Sequence, residues 1–191
     1  MVELKKLLLK IVRLLEHLKK DGLIQDYALI GGMAVAARGF PRATKDLDFL
    51  INSDEDFFRK EFAKKLKDEG YNVELYKGQF DDPLRALIRI FDNHKNPLVD
   101  FILIHWKWQE TIIDSAEKLS LGNIFVPIAK TEDLVVLKLK ASSPRDLLDV
   151  EELLKIASYS GQLDKSRLIS LAKSAGVDKK LRQLLLSLKI T

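Results

Sequence analysis

The amino-acid sequence predicts an α/β (α+β) protein. A mixed sheet with helices occupies residues 1–130, and a helical C-terminal extension over 131–191 packs on that core. Three observations carry this. The N-terminus places apolar residues at three- and four-residue steps. Short strand-like runs lie between residues 27 and 130. Beyond residue 131 every stretch has helical periodicity.

In chain order, Leu4, Leu7, Leu8, Ile11, Leu14, Leu15 and Leu18 form the apolar face of a helix over 3–20, which Asp21-Gly22 closes. Residues 27–30 are a short apolar run into Gly31-Gly32, and "MAVAARG" reads as one or two helical turns ending at Gly39. Pro41 keeps "FPRAT" a loop. "KDLDFLI" is a strand, and Ser53 and Asp54 cap a helix that runs to Gly70. "YNVELYK" alternates as a strand does, while "LRALIRIFD" and "PLVDFILI" flank the turn "NHKN". "IFVPIAK" adds a short strand. Helices are expected over 131–141, 144–158, 164–175 and 178–188, with Ser143 as a cap before Pro144.

Composition narrows the chemistry. A chain of 191 residues, 47% hydrophobic and 31% charged, has the makings of one core with one extension. It contains no cysteine, which excludes a disulfide frame, a thiolate metal site and a cysteine nucleophile. Charges recur through the N-terminal segment, so no signal-peptide core is present. The apolar stretch "ALIGGMAVAA" falls short of the roughly 20 residues of a membrane span, and a cytoplasmic protein without membrane contact is expected. Residues 1–132 carry 21 basic and 21 acidic residues, so the net charge of +4 resides in 133–191. That excess either attracts a polyanion such as nucleic acid or belongs to solvated helix faces. No phosphate-binding loop of the Gly-x-x-x-x-Gly-Lys-Ser/Thr type occurs. His17, His94 and His105 lack metal-ligand spacing. Trp106 and Trp108 either pack in the core or stack on a base.

The chemistry centres on "LIGGMAVAARGFPRATKDLDFLI". Asp46 and Asp48 lie two apart on a strand, so both side chains leave one face. Burying unpaired carboxylates is costly. Asp100 is a third acid centred in an apolar strand. If the strands are neighbours, three carboxylates meet and repel unless cations sit between them. Mg²⁺ takes such oxygen ligands and shares them with substrate phosphates. Gly31-Gly32 before a helix allows close backbone approach, and helix-start N–H groups suit a phosphate. Arg38 and Arg42 lie between and could bind anionic oxygens. The competing readings are ion pairs. Asp46 would pair with Lys45 or Arg42, and Asp100 with a buried lysine or arginine, while Arg42 and Thr44 would serve only the loop.

Gly31-Gly32, Arg42-x-Thr44-x-Asp46-x-Asp48 and the later Asp100 together resemble the nucleotidyltransferase superfamily that includes DNA polymerase β. Within it, the chain looks like minimal nucleotidyltransferases related to AbiEii-type toxins. The long gap from Gly32 to Asp46 matches the longer-looped members. The likeness extends more loosely to residues 131–153, where it implies that Lys138 (or Lys140 nearby) faces a triphosphate and that Arg145, Asp146 and Asp149 shape the site. The resemblance implies a polymerase β-like core that transfers NMP from an NTP to an acceptor hydroxyl with two Mg²⁺ ions, or Mn²⁺ in their place. Asp46, Asp48 and Asp100 would hold metal and carry catalysis. Gly31, Gly32, Arg42, Thr44 and Lys138 would bind the nucleotide. The acceptor would be a tRNA end, a protein hydroxyl or a small molecule. Two other readings are a non-catalytic nucleotide-binding protein on the same fold and a toxin–antitoxin component active only with an antitoxin or regulator partner.

Overall fold

A computed structural model describes residues 2–78, 85–121 and 123–190. The chain opens with helix α1 (Val2–Lys20), strand β1 (Asp26–Ile30), the short helix α2 (Gly31–Ala37) and strand β2 (Leu47–Asn52). A π-helical segment (Phe57–Phe62) runs into α3 (Ala63–Asp68), followed by β3 (Asn72–Lys77), β4 (Ala86–Phe91) and β5 (Pro97–Leu103). Next come α4 (Lys107–Asp114), β6 (Glu117–Ser120) and β7 (Phe125–Ile128). Helices α5 (Thr131–Ala141), α6 (Pro144–Tyr159), α7 (Lys165–Ala175) and α8 (Asp178–Ser187) complete it.

The strands form one mixed sheet in the order β3-β4-β5-β2-β1-β7-β6. β2 runs parallel to β5, with Asp48 opposite Asp100, and antiparallel to β1, with Ile30 opposite Asp48. β4 is antiparallel to β5 and sets Arg89 opposite Asp100. Period-2 alternation explains the two faces. Leu47, Phe49 and Ile51 are fully buried on one face, whereas Asp48 leaves the other. On the buried face Phe49 stacks on Phe101 at 6.0 Å, and the Phe62 ring meets Phe101 edge-on at 5.0 Å. α1 is anchored there through Tyr27, whose hydroxyl donates to Glu16 at 2.6 Å. Each buried side chain of this size contributes roughly 1.5–3 kcal/mol, so this layer holds β2 and β5 in register under the carboxylates.

The structure departs from the expected elements in three places. The single helix over 53–70 contains a π-helical segment, although Asp54 caps it as expected, accepting from the Phe57 N–H at 3.0 Å. The wider turn brings residues five apart onto one side, so Phe57 and Phe62 stack at 6.3 Å while Phe58 and Phe62 are buried. Helix α4 and edge strand β6 were not anticipated. α4 is amphipathic, with Ile112 and Ile113 buried on one face, so its helical signal was present in the sequence and passed over, whereas the four residues of β6 bury none and show no period. The expected run over 84–92 begins at Leu84, which lies outside the described residues. The C-terminal helices match closely. Ser143 Oγ accepts from the Asp146 N–H at 3.1 Å ahead of Pro144, and Asp146 returns a bond to the Ser143 N–H at 3.2 Å.

The helices are fastened by buried charge. Asp133 on α5 is fully buried and receives Arg167 of α7 at 2.7 Å, and Glu132 accepts the Asp164 N–H at 2.8 Å. These contacts orient α5, and α5 carries Lys138 towards the sheet. Among the described residues no helix is long and apolar enough to cross a membrane.

Candidate active site

The polar face of β2 opens into a cavity of about 420 Å³. Its floor holds Gly31, Gly32, Asp46 and Asp48, and its opposite wall holds Lys138, Lys140, Arg145 and Asp146. Trp106 and Trp108 also line it.

Asp48 sits closest to the backbone. Gly31 has φ +65°, and a Cβ there would lie 1.8 Å from Asp48 Oδ2. Only glycine admits both that conformation and the carboxylate. Burial, then the charges of Asp46 and Asp100, pushes Asp48 up to about 7, although Lys138 and the Gly32 N–H pull the other way. A carboxyl so crowded is a natural cation seeker. Asp46 lies just before β2 and is oriented by Thr44, whose hydroxyl donates to Asp46 Oδ1 at 2.9 Å. A Cβ on Gly32 would meet Thr44 Oγ1 at 2.6 Å and Arg42 Nη2 at 2.8 Å. The paired glycines therefore make room for the site's own side chains as well as lining the cavity.

The cations are joined in one network. Asp149 on α6 is 1% exposed and lies between Arg42 Nε at 2.9 Å and Lys138 Nζ at 2.7 Å. Lys138 also reaches Asp146 Oδ1 at 3.0 Å. Burial would raise Asp146, but the bonds from Ser143 and Lys138 outweigh it and hold the carboxyl below its ordinary value. Arg42 Nε, facing Asp149 Oδ1, and Asp149 Oδ2, facing Lys138 Nζ, are each at ion-pair distance without hydrogen-bond geometry. Arg145 and Lys140 reach main-chain oxygens instead, Ala43 at 2.9 Å and Ala175 at 3.0 Å. Of the two lysines, Lys138 is the buried one and Lys140 is exposed.

Asp100 follows the competing ion-pair reading. It is the β5 neighbour of Asp48, but it is gripped by Arg89 on β4, with Nε and Nη2 each 2.6 Å from one carboxylate oxygen. Among the described residues no three acidic or histidine side chains are grouped to hold one metal ion. Asp100 acts on Asp48 through its charge, while its own oxygens are held by Arg89. Arg38 is also engaged elsewhere. It ties α2 to the far side of the sheet, donating to the carbonyls of Ala129 at 2.9 Å and Ile128 at 3.1 Å and to Glu117 at 2.7 Å. Arg89 was missed in the sequence, although it is the lone charge inside "ALIRIF".

Residues 6–186 match the family described as a nucleotidyltransferase of unknown function (DUF6036). A comparison with curated proteins found no match. Among solved structures, the antibiotic-resistance factor ANT(2'')-Ia in solution is 16% identical, covers 96% of each chain and superposes with a TM-score of 0.51. A crystal structure of ANT(2'')-Ia in complex with adenylyl-2''-tobramycin is also 16% identical, covering 90% of this chain and 97% of that one, with a TM-score of 0.50. An antigenic nucleotidyltransferase-like protein from Paracoccidioides brasiliensis is 18% identical over 92% of this chain and 88% of its own, at a TM-score of 0.49. At these identities the ANT(2'')-Ia likeness is one of fold. The match to the family spans nearly the whole chain, cavity walls included, and on it the protein belongs to the DUF6036 nucleotidyltransferases.

Proposed function

We propose that the chain transfers a nucleoside monophosphate from an NTP to an acceptor hydroxyl in the 420 Å³ cavity. One observation carries the reading. Asp46 and Asp48 share that cavity with the Gly31-Gly32 backbone and four cations, Arg42, Lys138, Lys140 and Arg145. The donor set suits a hard divalent cation, because the Asp48 carboxylate is pressed against glycine backbone and destabilised by its acidic neighbours. Asp46 and Asp48 would hold Mg²⁺, or Mn²⁺ in its place. Bound there, the ion supplies Lewis-acid neutralisation of phosphate oxygens.

The chain's own residues do the rest by position and charge. Thr44 fixes the Asp46 carboxylate. Arg42 and Lys138, held by Asp149, present preorganised positive charge towards the triphosphate. Arg145 and Lys140 have no carboxylate partner among the described residues and add charge at the rim. Trp106 and Trp108 offer rings to a base. ANT(2'')-Ia was captured with adenylyl-2''-tobramycin, a nucleotidylated product of the kind this reading requires. The acceptor here is sought among small molecules, protein hydroxyls and RNA ends.

The test is calorimetry with ATP in Mg²⁺ and in EDTA, followed by pyrophosphate release with labelled NTPs in the presence of RNA or lysate. Equal affinity in both buffers would sink the metal-linked site. The Arg89 fork on Asp100 favours a second reading, nucleotide binding without transfer. It predicts Mg²⁺-dependent binding with no pyrophosphate released under any acceptor.

A further inference from the structure

The Arg89–Asp100 contact reaches beyond a local ion pair. Asp100 is the third carboxylate of the site and the direct β5 neighbour of Asp48. A second divalent ion beside Asp46 and Asp48 would need an oxygen of Asp100. Both oxygens of Asp100 are taken, one by Arg89 Nε and one by Nη2, at 2.6 Å each. This two-point fork is the strongest geometry a guanidinium offers a carboxylate.

Arg89 is itself held. Its guanidinium lies 5.6 Å from the centre of the Tyr76 ring, and the Tyr76 hydroxyl donates to Glu74 at 2.6 Å. The register places Glu74 opposite Arg89 and Arg89 opposite Asp100, so one row of the sheet reads Glu74, Arg89, Asp100, Asp48. The Arg89 and Asp100 side chains are 29% and 14% exposed, so water screens the pair only partly. By contrast, no basic side chain pairs with Asp46 or Asp48 among the described residues.

We infer that Arg89 is the built-in counter-ion of Asp100 and keeps a second divalent ion out of the acceptor-free site. The inference rests on the proposed function and deepens it. In the complex with nucleotide alone, the chain holds one ion, at Asp46 and Asp48. The place beside Asp100 stays filled by the guanidinium. Arg89 is therefore a positioning residue, one that sets how many ions the acceptor-free enzyme carries.

The experiment counts ions directly. Full-length protein is saturated with the non-hydrolysable analogue α,β-methylene-ATP and titrated with Mn²⁺, with free Mn²⁺ read by electron paramagnetic resonance. The wild type is expected to bind one Mn²⁺ per nucleotide. Arg89→Gln is expected to bind two, with the dipolar broadening of ions about 4 Å apart. Arg89→Gln combined with Asp100→Asn is expected to return to one. Two coupled ions in the wild type overturn the inference and leave the proposed function intact. A folded Arg89→Gln protein that still binds one ion also overturns it. A wild type whose affinity for the analogue is the same with Mn²⁺ as in EDTA removes both. If the variant fails to fold, a wild-type count of two coupled ions still overturns the inference.

Discussion

Replacing Asp48 by asparagine should stabilise the metal-free protein at alkaline pH and leave it unchanged near pH 4. Asp48 is raised from 3.8 to about 7 in the fold. Between those values the folded state holds a proton that the unfolded chain has released. The stability this contributes is complete below the unfolded value and is lost as pH rises through about 7. That rise corresponds to about 4 kcal/mol at most. Asparagine keeps the shape, can still accept from the Gly32 N–H, and does not titrate. In EDTA at pH 8 the variant should therefore melt roughly 10 °C above the wild type, given about 2–4 °C per kcal/mol for a chain of this size. At pH 4.5 the two should melt within a few degrees of each other. Circular dichroism melts at half-unit intervals between pH 4.5 and 8.5 supply the comparison, and the difference between the proteins isolates Asp48 from every other titrating group. Parallel pH profiles for the two proteins would refute the argument, because they would mean that Asp48 is as well solvated folded as unfolded.

Gly31→Ala places a Cβ at a position 1.8 Å from Asp48 Oδ2 at φ +65°; backbone strain alone costs roughly 1–2 kcal/mol, and both the melting temperature and Mg²⁺-dependent ATP affinity should fall. A Gly31→Ala protein with wild-type values for both would show that the close approach is dispensable. Arg167→Ala strips the fully buried Asp133 of its 2.7 Å partner and should cost about 3–5 kcal/mol in urea unfolding; a loss under about 1 kcal/mol would mean that water reaches Asp133. Asp149→Asn removes the shared partner of Arg42 and Lys138, so stability should drop and ATP affinity should weaken as the two cations lose their fixed positions. Calorimetry showing unchanged affinity would take Asp149 out of the site's framework.

The residues most legible from sequence were those that broke a local rule. Asp46, Asp48 and Asp100 stood out because a carboxylate in an apolar run demands compensation. The Ser143-Pro144 start of α6 was legible because capping is local chemistry. What remained hidden depends on pairs distant in sequence. "ALIRIF" shows that Arg89 leaves the strand on its own. Only the register set across the turn at 93–96 puts it opposite Asp100. Arg38 had the right type and place for an anion contact, but its partners belong to residues 117, 128 and 129. The π-helical segment was hidden for the same reason, since its packing partner Phe101 is on β5. Short elements such as β6 have too few residues to reveal a period.

The charges of the cavity also imply an order of dependence. Arg42 and Lys138 are compensated by Asp149 and Asp146, so a triphosphate meets cations whose field is already partly spent. It also meets Asp46 and Asp48, which repel it. Only a divalent ion changes the sign of that encounter. An ion bound as proposed would meet Asp48 with its carboxyl pushed up to about 7 by burial and by the charges of Asp46 and Asp100. Ion binding must displace the proton, and the nucleotide's negative charge favours that displacement. On the proposed function, nucleotide and ion should therefore raise each other's affinity by the same factor, as linkage requires. The proton on Asp48 opposes both, so the pair should bind most weakly on the acid side of neutrality, where that proton is firmly held.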